Sequence, residues 1–289
     1  MTSILVFGAN GQLGIELCSA LNNKNIQSFE KNKLDITNKE LVGDLLSSYK
    51  QSIIINASAF TKVDLAETER EKCYEVNAKS LEFLAKHSNQ NRCTLIHFST
   101  DYVFSGDGKT PYLEESPCKP INFYGFSKRE GEKIILKNLS QSYILRTSWV
   151  YGKNGNNFPK SIIKMLKERE ELNVVNDQTG VPTSTKFLSN IVEEISERVI
   201  NQNQPEYGIY NAVPSGKTTW FEFAEYILNK MKKHNEIITK KINPVDSSFF
   251  KTAAKRPQYS CLSNSKLAKA LKINIRHWNE YFDEFLTEL

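Results

Sequence analysis

Seven residues near the start, Gly8-Ala9-Asn10-Gly11-Gln12-Leu13-Gly14, constrain the fold more than any other stretch of the chain. They follow the β-forming run Ile4-Leu5-Val6-Phe7 and lead into Leu13, Leu17 and Leu21, which recur at helical spacing. Each glycine has a separate task at a strand-to-helix turn. Gly8 allows the tight turn, Gly11 lets backbone approach a pyrophosphate, and Gly14 permits close helix–strand packing. The helix that begins there offers free amides and the positive end of its dipole to phosphate. Gly8, Asn10, Gly11, Gln12, Leu13 and Gly14 are therefore the expected dinucleotide loop. It is not a Walker A loop, since no Gly-Lys-Ser/Thr is present.

The rhythm set by that unit continues. Ile26–Phe29 predicts a second strand, and Leu41, Leu45 and Leu46 a second helix. Ser52-Ile53-Ile54-Ile55-Asn56 does not alternate, which predicts a strand buried on both faces. A helix over 67–87, a strand over 94–98, a helix over 124–137 and a strand over 142–146 follow. Strand–helix alternation at this spacing argues for an α/β doubly wound parallel sheet of Rossmann type, with ligands beyond the carboxyl ends of the strands. Past Tyr151 the rhythm loosens, with further helices over Phe158–Glu168, Thr185–Ile200, 219–233 and 277–289. The 289 residues fit one dinucleotide-binding domain over 1–149, to which 184–212 returns, and a smaller α/β substrate lobe from 150–183 and 213–289.

Composition removes several function classes. Lys+Arg 38 against Asp+Glu 33 gives a net charge of +5, which suits a small anionic ligand but falls short of a nucleic-acid binder. No apolar run approaches the roughly 20 residues that span a bilayer, and the first residues lack the basic segment of a secretory signal. Five cysteines without a C-x-x-C pair read as reduced thiols, and so as a cytoplasmic protein. His87, His97, His234 and His277 have no metal-ligand spacing, and no metal is expected.

The second strand ends at Phe29-Glu30. A carboxylate there binds the ribose hydroxyls of NAD and repels a 2′-phosphate, yet Lys31 and Lys33 follow and suit that phosphate, so NADPH and NADH both stay open. Asp35 has two readings, a place under the adenine or a cap for a helix starting near Thr37.

Two later stretches carry acid–base chemistry: Ser99-Thr100-Asp101-Tyr102-Val103-Phe104, and Asn122-Phe123-Tyr124-Gly125-Phe126-Ser127-Lys128. Tyr124 and Lys128 project from one face of a helix. Hydride addition to a carbonyl leaves an alkoxide that needs a proton. A free phenol titrates near ~10, and an ammonium four residues on is expected to lower that value. Thr100, at the end of a strand, adds a hydrogen bond to the same oxygen. Tyr226 and Lys230 share the spacing but lie far from the glycine loop, which reads as a surface helix.

With these residues in view, the chain resembles the dTDP-4-dehydrorhamnose reductase family of extended short-chain dehydrogenases/reductases. The resemblance is carried by residues 8–14, 56–64, 99–104, 124–128, 146–151, 176–183 and 256–257, in the family's order. It implies reduction of the C4 keto group of dTDP-4-dehydro-β-L-rhamnose by NADPH or NADH, supplying dTDP-L-rhamnose for surface polysaccharide. It also implies that Tyr124 donates the proton, that Lys128 tunes it and positions the nicotinamide ribose, and that Thr100 assists. Ser58, Ala59 and Phe60 would line the cofactor, with Phe60 standing where some relatives carry histidine. Asp101 and Trp149 would contact the sugar nucleotide, and Asn157, Lys160 and Arg256 its base or phosphates. Trp149 also reads as a core aromatic, and Arg256 as a surface cation. Some relatives dimerise around a metal held by glutamates. Here Glu16 is available but Lys186 sits where a second acid is sought, so a homodimer stays open without a metal.

Two other classes share the scaffold. A nucleotide-sugar epimerase or dehydratase oxidises and re-reduces its substrate with a tightly held cofactor; the dehydratase also needs an acid pair beside the threonine, and Thr100-Asp101-Tyr102 supplies one acid. A regulatory subunit of the methionine-adenosyltransferase kind has no need to keep Tyr124, Lys128 and Thr100 together.

Overall fold

The structure is a computed structural model that describes residues 2–232 and 236–289; His234 and the end of the helix expected over 219–233 lie outside the described residues. The first part runs β1 (Ile4–Phe7), α1 (Gln12–Ala20), β2 (Ile26–Phe29), α2 (Lys39–Ser47), β3 (Ile53–Asn56), α3 (Arg70–Tyr74), α4 (Ser80–Gln90), β4 (Thr94–Thr100), α5 (Phe123–Asn138) and β5 (Ser142–Thr147). The second part runs β6 (Val150–Tyr151), α6 (Phe158–Glu168), β7 (Glu171–Val175), β8 (Thr179–Gly180), β9 (Thr183–Ser184), α7 (Thr185–Ile200) and β10 (Gly208–Asn211). It ends with β11 (Thr218–Thr219), α8 (Trp220–Met231), β12 (Lys241–Val245), α9 (Ser265–Leu271) and α10 (Trp278–Thr287).

A six-stranded parallel sheet in the order β10-β5-β4-β3-β1-β2 is the frame, as the doubly wound expectation requires. The chain steps outward from β1 to β2 and then returns to the other side as β3, so the order reverses between β1 and β3. A crevice opens at such a point. The apolar runs are continuous because both faces are covered. Ile4 and Val6 join the layer of Leu17 on α1 and Phe187 and Leu188 on α7, while Leu5 and Phe7 join that of Leu46 on α2, Leu84 on α4 and Ile135 on α5.

The expected helix over 67–87 is broken. A 3-10 turn at Leu65–Glu67 and the short α3 precede a π-helical turn, Glu75–Lys79, before α4 begins. Asn77 explains the bulge. Its amide accepts from the Phe60 N–H at 2.8 Å and donates to the Phe60 carbonyl at 3.0 Å and to Ser127 Oγ at 3.0 Å. Long-range demands on one buried side chain overrode the local helical register.

The late strands were not legible from the sequence. β10 extends the main sheet beside β5, with Asn211 opposite Arg146, and α7 packs on α1. Leu166, Val174, Phe223, Ile242 and Phe282 form a separate cluster from α6, β7, α8, β12 and α10. Tyr226 and Lys230 tie α8 to α10 through Asp283, at 2.9 and 2.6 Å, a packing role in keeping with a pair remote from the glycine loop.

Candidate active site

Because the sheet is parallel, the ends of β1, β3, β4 and β5 share one edge, and the expected functional residues collect there. Gly8 adopts φ 77, and an added Cβ would lie 2.8 Å from the Ser58 nitrogen. A Cβ on Gly14 would stand 2.1 Å from the Gly8 carbonyl oxygen, so only glycine lets α1 close beneath the loop. Gly11 is the N-cap of α1 and has no side chain to cap it, which leaves the first amides free. A cleft of about 190 Å³ opens over this loop, walled by Gly8, Asn10, Gly11, Asp35, Ser58, Ala59 and Phe60.

The other loop residues do different work. Leu13 packs on the core. Gln12 donates to the Val150 carbonyl and accepts from Asn157 Nδ2 at 2.8 Å. Glu30 does not line the cleft, whereas Lys31 and Lys72 do. Asp35 lines the cleft but is not the cap of a helix: it accepts from Thr37 N and Oγ1 at 2.9 and 2.7 Å in a local turn. Burial alone would raise its carboxyl, but these bonds and Lys31 hold it below the ordinary value. α2 starts later, at Lys39, capped by Asn38.

Asn122 caps α5, accepting from the Gly125 N–H at 2.8 Å, and thereby sets Tyr124 and Lys128 one turn apart on its inner face. Tyr124 lines neither of two cavities but packs against residues that do. Phe60, on the wall of the smaller cleft, packs against it, and Tyr102, on the wall of a cavity of about 1000 Å³, meets its ring edge-on at 5.7 Å. Thr100, at the end of β4, is close enough to the Tyr124 hydroxyl to lower its pKa, and its own hydroxyl donates to Asp101 Oδ1 at 2.9 Å.

The electrostatics differ from the sequence expectation in one respect. The Tyr124 phenol is pushed above its ordinary value rather than lowered, by burial first and also by the Asp101 carboxylate, with Thr100 opposing. Lys128 does not counter this, because its Nζ is turned inward to the Phe98 carbonyl at 2.6 Å and His97 Nε2 at 3.1 Å. Burial lowers Lys128 to about 8, with Glu132 and Cys73 opposing. Asp101 is buried and raised to about 6 by desolvation, against hydrogen bonds from Ser260 and Thr100. Its Oδ2 is enclosed and has no hydrogen-bond partner among the described residues.

The larger cavity is lined by Arg169, Lys251, Lys255 and Arg256, and by the aromatic faces of Phe158 and Trp220. Arg256 is not a free surface cation. It grips Asp64 through both guanidinium nitrogens, at 3.1 and 2.6 Å, so its own pKa rises while that of Asp64 falls. The Lys255 carbonyl accepts from Asn122 Nδ2 at 2.8 Å, which fastens this loop to the start of α5. Trp149 is half-buried with φ 46, and its ring stacks on Trp220 at 3.4 Å and 8°. Asn157 and Lys160 line neither cavity. Asn157 caps α6 and holds Gln12 and Gly152, and Lys160 donates to the Lys153 and Gly155 carbonyls.

Sequence reasoning missed Trp220, Gln178, Asn56 and His97. Gln178 accepts from Trp220 Nε1 at 3.2 Å, and Gly180 leaves the space that the Trp149 ring fills, which accounts for the Asn176-to-Thr183 stretch. Only long-range packing brings Trp220 to Trp149. His97 did carry a signal, as the one ionisable residue within the apolar run Leu95-Ile96-His97-Phe98.

The family model for the RmlD substrate binding domain matches residues 1–289. The chain belongs to the RmlD family of dTDP-4-dehydrorhamnose reductases. It is 37% identical to the dTDP-4-dehydrorhamnose reductase of Escherichia coli K12, over 99% of this chain and 98% of that one. It is also 37% identical to the spore coat polysaccharide biosynthesis protein SpsK of Bacillus subtilis, over 100% and 98% of the two chains. Among solved structures, the dTDP-4-dehydrorhamnose reductase of Bacillus anthracis in complex with NADP superimposes with a TM-score of 0.92 and 37% identity, covering 100% of both chains. Like other members of the RmlD family, the chain is an NAD(P)H-dependent reductase.

Proposed function

We propose that this chain reduces the C4 keto group of dTDP-4-dehydro-β-L-rhamnose to give dTDP-L-rhamnose, for surface polysaccharide. The observation that carries the reading is the place of Tyr124, beside Thr100 and packed against residues that wall the glycine-loop cleft and a large cavity lined with cations and aromatic rings.

The cleft fits a dinucleotide. Gly8 and Gly14 leave room that any Cβ would fill, and the uncapped start of α1 suits a pyrophosphate. Asp35 and Lys31 flank its outer end, where a ribose hydroxyl and a 2′-phosphate respectively find partners. The bound NADPH or NADH supplies hydride. This chain's residues do the rest. Lys128 anchors the nicotinamide ribose. Tyr124, which its surroundings keep protonated, gives its proton to the oxygen at C4 as negative charge develops there. Thr100 supports the phenol oxygen as the proton leaves, and the unpartnered Asp101 Oδ2 accepts from a sugar hydroxyl. Arg256 and the other cavity cations meet the diphosphate, and Trp220, backed by the stacked Trp149 ring, offers an apolar face to sugar or base.

In this reading residues 1–149 with 184–212 hold the dinucleotide, and 150–183 with 213–289 hold the sugar nucleotide. The enzyme works in the cytoplasm, and light scattering of the purified protein tests for a homodimer. Among the described residues no helix is long and apolar enough to cross a membrane. The test of function is the reaction of purified protein with dTDP-4-dehydrorhamnose and either reduced dinucleotide. Equimolar loss of NADPH or NADH with formation of dTDP-L-rhamnose is expected. Turnover without net cofactor loss would assign an epimerase instead.

A further inference from the structure

His97 lies buried in the middle of β4, and nothing in the proposed reaction uses it. Its Nδ1 faces Asn56 Nδ2 at 3.1 Å and its Nε2 faces Lys128 Nζ at 3.1 Å. Both neighbours are nitrogen groups that ordinarily donate, whereas a neutral imidazole has one donor and one acceptor. The ring is kept neutral: desolvation, the larger cause, drives His97 well below its ordinary value whatever the charge on Lys128. One of the two neighbours must therefore accept.

Asn56 decides which. The Ser58 N–H lies 3.1 Å from the Asn56 side chain and can only donate, so the amide oxygen faces it. The Asn56 amide nitrogen then faces His97 and donates to Nδ1, which leaves the imidazole hydrogen on Nε2, aimed at Lys128. An ammonium has no lone pair to receive it, but an amine does. The amine still donates to the Phe98 carbonyl at 2.6 Å.

We propose that His97 is a positioning residue of this site: polarised by Ser58 and Asn56, it donates Nε2–H to Lys128 and holds that group as a free amine while the cofactor cleft is empty. The inference rests on the assignment of Tyr124 and Lys128 given above. For Lys128 to take up a proton the chain must reverse. His97 shifts its hydrogen to Nδ1, Asn56 turns its amide, and the Asn56 NH2 then opposes the Ser58 N–H. Ser58 is on the wall of the dinucleotide cleft, so a ligand that re-aims its backbone relieves that opposition and permits the ammonium. Charge on Lys128 is in this way tied to occupancy of the cofactor site.

Among the described residues no other ionisable group supplies the same constraint. Glu132 on α5 favours the charged lysine but is already paired with Arg146 and Arg129. Cys73 on α3 also favours the charged form, and Tyr124 and Asp101 lie on the substrate side. Glu67 is bonded to the Phe123 N–H, and at the surface Glu75 pairs with Lys79 and Glu82 with Lys86.

Nitrogen-15 NMR of the full-length protein, labelled at histidine and free of dinucleotide, reads the tautomer directly. Four histidines give four pairs of ring-nitrogen signals, and the His97 pair is the one lost in His97→Gln, or the one that stays neutral down to pH 5. The Nε2–H form is expected, and the Nδ1–H form overturns the proposal whatever the activity of the protein. The second readout is the pH dependence of kcat/KM with NADPH and the sugar nucleotide. His97→Gln offers a carbonyl to Nζ, so the alkaline limb should move up by about one pH unit. An active variant whose alkaline limb coincides with wild type overturns the proposal too. If the variant does not fold, the wild-type tautomer decides alone.

Discussion

Replacing Glu132 by glutamine removes one charge from a place that solvent does not reach. Glu132 is fully buried on α5 and accepts from Arg146 Nε and Nη2, both at 2.8 Å, from Ser99 Oγ at 2.6 Å and from Arg129 Nη1 at 2.8 Å. Arg146, itself buried, lies over the Phe104 ring at 5.0 Å and donates to the Glu114 carbonyl at 2.9 Å. The pair thus ties β5 to the helix that carries Tyr124 and Lys128. Glutamine keeps the shape but leaves the Arg146 guanidinium without a counter-charge, a change that costs about 3–5 kcal/mol in buried pairs. At about 2 °C per kcal/mol for a chain of this size, Tm should fall by roughly 6–10 °C. The sign with pH follows from the carboxyl. Desolvation would raise Glu132, but Arg146, Ser99 and Arg129 hold it below its ordinary value. Its contribution is therefore present above the unfolded value, near 4.3, and is lost as pH falls through the lower folded value. Calorimetry from pH 3 to 8 should show wild type and variant converging in acid and well separated at neutrality. Equal Tm at pH 7.5, or a gap that does not change with pH, would refute the reasoning.

Asp101→Asn tests the opposite sign. Asp101 titrates near 6 in the fold and near 3.9 unfolded, so its stabilising effect is complete below the unfolded value and is lost as pH rises through the folded one. Asparagine should raise stability at pH 7.5 by up to roughly 2–3 kcal/mol, the gain fading toward pH 4, while KM for the sugar nucleotide rises; urea unfolding at the two pH values checks this. Arg256→Lys keeps the charge but loses the two-pronged grip on Asp64. It should raise KM for the sugar nucleotide about tenfold, equivalent to about 1.4 kcal/mol, with kcat little changed; steady-state kinetics with varied substrate would show a kcat loss instead if Arg256 served the chemistry.

Local features carried the legible part of the account. The glycine loop reads through because a turn, a backbone approach and a helix contact each demand glycine within seven residues, and the Tyr124–Lys128 spacing needs only one helical turn. Helices such as Thr185–Ile200 and Phe158–Glu168 were found to the residue because Ser184 and Asn157 cap them and their apolar faces repeat. What stayed hidden depends on distant partners. β10 is a four-residue strand whose place beside β5 no periodicity announces. Asn157 and Arg256 looked alike as polar candidates, yet one is a helix cap and the other an ion pair with a residue 192 positions away. The titration of Tyr124 and Lys128 departs from the expectation for the same reason: the spacing brings the side chains to one face, but burial and the inward turn of Lys128 set their titration.

The most direct measurement of the central claim is single-turnover reduction by Tyr124→Phe, with dinucleotide affinity measured alongside by titration of the NADPH fluorescence. If Tyr124 is the proton donor proposed, its loss should slow the chemical step by about 10²–10⁴-fold and leave NADPH binding within about twofold of wild type, a change of under ~0.5 kcal/mol. A variant that reduces the sugar at the wild-type rate would contradict the assignment of Tyr124 as the acid.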